Sequence, residues 1–439
     1  MKGTYGKRSL ETEIIFELAI IYCLLVSLGF PGTLTKVIGE SMEKILEYLA
    51  FGLELLLLMF SSGDSWQDIE LLHLDKKYWV MYLYVFSCFG ISMLVTYDKR
   101  AQIITCVRFA VTMFFVIWLQ ERYSLREILE MVCIAQGAFV LVTLFFIVVF
   151  PHYGFSDAEG QTHALVGLYS TKNACGTELV FGIIMTVLLL HETHLGNGRK
   201  LKWWLLLITQ LVLLFMCKAT GALYTMVLAI LSIYVLQNLR LPLGLIYITI
   251  NVVFLFCMLA LMPFFEDMLI AMGKDATLTG RIPIWRRVID VMMANRTMTG
   301  FGYGMFWRDP SALLKFQTGF SMRKDPFMAT LTTGAHNAIL ETWLNSGLLG
   351  LSAFFFMLLF AFRDMHSLRD DQYRLCTGIM AFLTINGLTE RCLGGNYDYR
   401  VLACFLATAV ACNAAGSRKR TLRSAKPIPE PQRKPIENA

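Results

Sequence analysis

Charge is scarce in this chain. Asp, Glu, Lys and Arg make up 16% of its 439 residues, well below the roughly 25% of soluble domains, which argues against a water-soluble fold. Paired thiols are missing as well. Eleven cysteines fall mainly within apolar stretches, as at Cys88, Cys133, Cys217 and Cys404, and no CxxC pair occurs among them. They read as small apolar packing residues, with neither a disulfide nor a metal site expected. There is no repeat of fixed period. No small-x-small cleavage site follows the first apolar stretch, so that stretch is read as a retained span rather than a removed signal.

What is abundant is apolar sequence. Hydrophobic residues make up 56% of the chain, and runs long enough to cross a bilayer as helices recur along it. Twelve are expected, at about 13–30, 45–60, 78–97, 101–119, 128–150, 173–191, 203–218, 221–237, 242–262, 338–362, 375–390 and 397–415. The expected class is therefore an all-α polytopic membrane protein with about 12 transmembrane helices and one large extracytoplasmic loop. Helices 1–9 occupy 1–262, the loop 263–337, helices 10–12 338–416, and a basic tail 417–439. Basic residues gather on the side shared by the termini, with Lys2, Lys7 and Arg8 at one end and "SRKRTLRSAK" at the other. By the positive-inside rule both termini are cytoplasmic. The net charge of +6 reflects that bias, so no nucleic-acid partner is implied.

The loop concentrates the chemistry. In "TGRIPIWRRVIDVMMANR" (279–296), Trp285, Val288, Ile289, Met292 and Met293 form the stripe of an amphipathic helix. Projected one turn back, Arg281 falls on that apolar face, where a guanidinium needs an anionic partner. Two partners stay open: a ligand phosphate or carboxylate, or a loop carboxylate such as Glu266 or Asp267. Next, "TGFGYGMFW" alternates Gly300, Gly302 and Gly304. The spacing is not a dinucleotide fingerprint; it marks a sharp turn, or a nest for phosphate.

"HNAILETWLNSG" (336–347) opens the tenth span. A cap at Thr332 or Thr333 would put His336 in the first helical turn, with Asn337 beside it. Gly347 would then share the face of His336, Leu340 and Trp343, and admit another helix or a lipid chain. A helix N-terminus disfavours imidazolium, leaving His336 able to accept a proton. On the same side, "GLYSTKNACG" puts Lys172 and Asn173 at the start of the sixth span, Asn173 as its cap. Lys218, in "CKATGALYTM", lies between the seventh and eighth spans.

"KN" opening a core span, then "TGRIPIW", "GFGYG" and "HNAILETWLNSG", resemble the O-antigen ligase and polymerase superfamily over roughly 165–362. Two positions depart from its pattern: Trp285 stands where leucine is frequent, and Lys218 where arginine is frequent. The resemblance implies a glycosyltransferase needing no metal or other cofactor, in the bacterial cytoplasmic membrane. Its donor would be an oligosaccharide on undecaprenyl diphosphate, and its acceptor a glycan or lipid A-core. His336 would take the acceptor's proton, and Arg281 would steady the leaving diphosphate with Lys172, Asn173 and Lys218. The loop has no DxD pair for a divalent ion. A transporter of lipid-linked saccharides is the other class in view, with Glu54 and Arg108 as a buried pair; a sensor or scaffold without chemistry is a third.

Overall fold

Hydrocarbon offers the backbone no water, so an apolar run in a membrane closes its hydrogen bonds within itself as a helix. The computed structural model describes residues 10–29, 39–60, 74–156, 163–169, 171–191, 197–271, 281–321, 334–391 and 398–424. A helix covers most of each of the twelve apolar runs: α1 (Leu10–Ser27), α2 (Glu40–Phe60), α3 (Trp79–Val95), α4 (Lys99–Arg122), α5 (Leu125–Val149), α6 (Lys172–Leu190), α7 (Asn197–Cys217), α8 (Thr220–Leu236), α9 (Leu243–Ala271), α12 (Ala338–Ala361), α13 (Asp370–Gly387) and α14 (Tyr399–Ser424). Two more, α10 (Arg281–Asn295) and α11 (Pro310–Ser321), stand between α9 and α12. A two-stranded antiparallel ribbon, β1 (Phe155–Ser156) with β2 (Ala164–Leu165), precedes α6.

Eight helices among the described residues are long and apolar enough to cross a membrane by length and composition alone. The helix Thr220–Leu236 is apolar but shorter. The other three carry charge along their length: Glu11, Glu13 and Glu17 in α1, Glu43, Lys44, Glu47 and Glu54 in α2, and Asp370, Asp371 and Arg374 in α13. Polar caps set where helices start. Ser124 opens α5 in a capping box with Glu127, and Asp98 accepts from the Ala101 N–H at the head of α4. Helices α6 and α14 are the most enclosed, with 78% of each apolar window buried, against 22% for α9. Arg108 does not form the expected pair with Glu54: its Nη1 bonds Glu47 at 3.1 Å and its guanidinium lies over Tyr48.

The stretch between α9 and α12 has a core of its own. Trp285, Val288 and Met292 of α10 pack with Phe301, Phe306, Phe316 and Leu340. The amphipathic stripe is thus real, except that Met293 is 64% exposed. Helix α9 continues to Ala271, past its expected end at 262.

Helix α12 is broken. Gly347 has φ 64° and ψ −170° within it, and the glycine-rich turn fills the gap. The Leu344 and Asn345 carbonyls accept from the Phe301 and Gly302 N–H groups, while Leu348 and Leu349 donate to the Thr297 and Met298 carbonyls. The four backbone groups that a kink would leave orphaned are paired this way. A side chain at Gly347 would put its Cβ 2.2 Å from Met298 backbone, and one at Gly300 would meet Leu344 O at 2.6 Å. What approaches Gly347 is therefore the backbone of 297–302, neither a helix nor a lipid. The glycines 300, 302 and 304, all at positive φ, serve this docking, and Gly304 N–H donates to the Asn345 side chain.

Gly347→Ala should lower thermal stability by about 2–5 kcal/mol, from the left-handed backbone and the backbone overlap together. Gly90→Ala, with nothing within 4 Å of its Cβ, should be neutral or slightly stabilising. Thermal melts in nanodiscs check this, and equal midpoints would contradict the docking.

Candidate active site

Asn337, not Thr332 or Thr333, caps α12. Its Oδ1 accepts from the Ile339 and Leu340 N–H groups, each at 3.1 Å, and its Nδ2 donates to the Leu388 carbonyl. Thr332 and Thr333 lie outside the described residues. His336 consequently precedes the cap rather than lying in the first turn, and it has φ 48°. That conformation is uncommon for a side-chain-bearing residue and costs on the order of 1–3 kcal/mol, so its surroundings must enforce it.

They enforce it by gripping the residue before it. The Ala335 N–H donates to Glu341 Oε2 at 2.7 Å, and the Ala335 carbonyl accepts from Trp285 Nε1 at 3.0 Å. Glu341 is fully buried and its Oε1 accepts from Trp307 Nε1 at 3.0 Å. Trp285 thus has a part beyond packing: one turn after Arg281, it ties α10 to the histidine segment.

Arg281 is half-buried at the head of α10. Its Nε donates to the Thr389 carbonyl at 3.0 Å and its Nη2 to Glu390 Oε1 at 2.8 Å. The other oxygen of Glu390 stands 3.3 Å from His336 Nδ1. One carboxylate therefore bridges the guanidinium and the imidazole. Burial pushes the Glu390 carboxyl up, but the hydrogen bond and charge of His336, with Arg281 and Arg400, outweigh it and hold the group below its ordinary range. An ionised carboxylate only accepts hydrogen bonds, so the Nδ1 that faces it carries a proton, and Nε2 is the nitrogen left to exchange one with a substrate. The His336 side chain keeps 34% of its surface exposed, enough for a substrate to reach it.

Glu266 and Asp267 were the carboxylates expected near Arg281. Those side chains lie outside the described ones, and Glu390 is the partner found. Glu390 went unnoticed because it closes the apolar run at 375–390, where it looked like a helix end. "TER" (389–391) was the available signal, a charge pair where a span meets the surface. Arg391 belongs to the same neighbourhood, its stem packing near Gly334 and its charge acting on Glu341. Arg400 is clamped by both Asp398 oxygens at 2.8 Å.

Lys172 and Lys218 stand at the ends of two packed helices, α6 and α7. Thr171 caps α6 by accepting from the Ala174 N–H, so Asn173 lies inside the first turn and is not the cap; the threonine precedes it and has the extended backbone a cap needs. Lys172 is half-buried, Asn173 exposed, and Lys218, exposed, follows α7 with φ 51°. The two helix ends meet where Gly176 faces Ala219 and Ala222. The Tyr399 ring packs 5.2 Å from Phe181, more than two turns into α6, and Arg400 is among the charges that hold Glu390 low. Among the described residues no three His, Cys, Asp or Glu side chains gather as metal ligands would.

An imidazole held by a carboxylate, cations around it and apolar walls below suit attack by a hydroxyl on a lipid-borne electrophile. Residues 204–355 match the family model of the O-antigen ligases. The match supports the O-antigen ligase and polymerase superfamily for this chain, as the motifs led us to expect. It contains Lys218, Arg281, Trp285, His336, Asn337 and Gly347, with Gly300, Gly302 and Gly304, and reaches neither Lys172 nor Glu390. No curated protein matches the chain. The matched segment therefore supplies His336 and Arg281, while the carboxylate joining them, Glu390, comes from beyond it.

A group whose folded pKa is depressed adds stability above its unfolded value, and loses that contribution as pH falls through the folded value. Glu390→Gln should therefore be less stable than wild type by a constant margin above about pH 5, a margin that shrinks below about pH 4. Thermal midpoints between pH 7 and pH 3 measure it; a margin that widened on acidification would contradict an ionised Glu390.

Proposed function

We propose that the protein moves an oligosaccharide from undecaprenyl diphosphate to a glycan or lipid-glycan acceptor at the outer face of the bacterial cytoplasmic membrane. It does so as an O-antigen or exopolysaccharide polymerase or an O-antigen ligase, in a multi-pass arrangement with both termini cytoplasmic. The observation that carries this reading is the chain of contacts Arg281–Glu390–His336 at the end of an apolar helix bundle, in a chain matching the O-antigen ligases. Twelve spans and an outward-facing 263–337 segment complete the arrangement.

The chemistry follows from the contacts. His336 Nε2 takes the proton of an acceptor hydroxyl, and that oxygen forms a bond to the anomeric carbon of the donor sugar. The bond from this carbon to the diphosphate oxygen breaks on the opposite face, inverting the centre. The imidazolium that results is stabilised by Glu390, as the carboxylate of a catalytic triad stabilises its histidine. Two of the five N–H donors of Arg281 are engaged with Thr389 and Glu390; the others are offered to the leaving diphosphate. Lys172, Asn173 and Lys218, with Arg391, add charge and hydrogen bonds to that side. With cations in this role the reaction needs no divalent ion and no cofactor.

His336→Ala should lower turnover by about 10²–10⁴, the usual contribution of a general base, with expression near wild type. His336→Gln, which cannot take a proton at neutral pH, should be nearly as inactive. The assay uses purified protein in nanodiscs with lipid-linked oligosaccharide and excess EDTA, reading product length on a gel. A glutamine variant at wild-type rates would move the base elsewhere, and activity restored only by magnesium would end the metal-free mechanism. Orientation is checked separately. A reporter active only in the cytoplasm should work when fused after Ala439 and be silent when inserted near Ser311; the reverse pattern would put the site on the wrong side.

A further inference from the structure

The segment that fills the break in α12 sits deeper than a surface loop. Leu349, eleven residues after Ala338, lies about 16 Å along the helix from its start. The 24 residues of α12 span about 36 Å, roughly 6 Å more than a hydrocarbon core. With that whole surplus outside, Leu349 is still about 10 Å inside the hydrocarbon. Neighbouring spans agree. The Cβ position of Gly350 is 3.9 Å from Cys88 Sγ, seven residues before the end of α3. The Tyr303 ring stacks at 4.2 Å on Phe109, ten residues into α4. Trp285 meets Phe254 at 6.1 Å, seven residues before the apolar window of α9 ends at Leu261. All four helices are long and apolar enough to cross a membrane.

The backbone of the turn is paired as hydrocarbon requires. Six consecutive N–H groups, from Gly300 to Met305, donate within the protein: to the Arg296, Leu344 and Asn345 carbonyls, Ser92 Oγ, Asn345 Oδ1 and the Gly302 carbonyl. The Thr297, Met298 and Tyr303 carbonyls accept from Leu348, Leu349 and Gln102. A loop in water can leave such groups to solvent, whereas in a bilayer each must find a protein partner. The side chains fit as well. From Val291 to Met305 the one charged residue is Arg296, which reaches up to the Val95 carbonyl at the end of α3. Met293 is 64% exposed and Met298 56%, and Met298 is bonded through its carbonyl to Leu349, itself 55% exposed.

We infer that the end of α10 and the turn after it, residues 293–304, form a re-entrant loop. It enters the bilayer on the side where α12 begins and leaves on the same side, with Met293 and Met298 against the acyl chains of bilayer lipids. Lipid is the occupant because this face continues the exposed face of a spanning helix: chains that cover Leu349 also cover Met298 beside it. Unbranched, flexible methionine side chains suit such disordered neighbours. The inference rests on α3, α4, α9 and α12 as membrane spans; it depends neither on the transfer reaction nor on which side is cytoplasmic.

Wild-type protein in nanodiscs, with a phospholipid carrying a diazirine midway along its acyl chain, is irradiated, digested and mapped by mass spectrometry. Lipid adducts should appear on the peptide holding Met293 and Met298 and on the one holding Leu348 and Leu349, with none around exposed Ser311. Adducts at Leu348 and Leu349 without any at 293–298 would overturn the inference. Depth is then read at single sites, in Met298→Cys, Leu349→Cys and Ser311→Cys labelled with bimane, the label taken up by native protein being subtracted. Lipid brominated at mid-chain should quench the labels at 298 and 349 alike and spare that at 311, and iodide in the buffer should quench 311 alone. A label at 298 that iodide quenches and brominated lipid does not would overturn it as well.

Discussion

The Glu390 carboxylate is the group on which the site depends. It accepts from Arg281 with one oxygen and faces His336 with the other, so three segments of chain are held to one planar group. Burying a charge is unfavourable unless it is paired and hydrogen-bonded, and here the burial of each partner is made tolerable by the other two. Removing Glu390 or Arg281 leaves the other as an uncompensated charge, which is costlier than never having had the pair. The same carboxylate holds the Nδ1 side of the imidazole, as the proposed role of His336 as a base requires.

Around it the fold supplies rigidity. The turn at 388–390 is gripped from two sides, by Asn337 through Leu388 and by Arg281 through Thr389. Ala335 is gripped by Glu341 and Trp285. Below, α12 is interrupted at Gly347, and the 297–302 backbone is inserted into the break. That insertion joins α10, which carries Arg281, to the helix that starts at His336. Two further links brace the same junction: Trp343 Nε1 donates to the Thr297 carbonyl, and Arg296 reaches the Val95 carbonyl on α3. A broken helix inside a membrane is tolerated when protein groups take up its free backbone.

The helices were legible because the bilayer imposes a length and a composition that a sequence displays directly. Trp285, Val288 and Met292 were legible as a stripe for the same reason, since periodicity reports one buried face. Arg281 and His336 stood out as polar residues at an apolar boundary. Glu390 did not, because it lies 109 residues from Arg281 and 54 from His336, and no local pattern marks such pairing. Thr332 and Thr333 seemed the natural caps until Asn337 was seen to fill that place with both its oxygen and its amide. The break at Gly347 was hidden too: a glycine in an apolar run looks like a packing residue, and only the docked 297–302 segment reveals a positive φ. The cap at Thr171 in place of Asn173 shows the ordinary one-to-two residue uncertainty of helix starts.

The central claim is that Glu390 acts through His336. A double-mutant cycle tests it most directly, by comparing turnover of wild type, Glu390→Gln, His336→Gln and the double variant. If the carboxylate works by fixing and stabilising the imidazole, Glu390→Gln should lower turnover in wild type and cause no further loss once His336 is glutamine. If Glu390→Gln lowered turnover by the same factor in both backgrounds, the two residues would act independently and the account would be wrong.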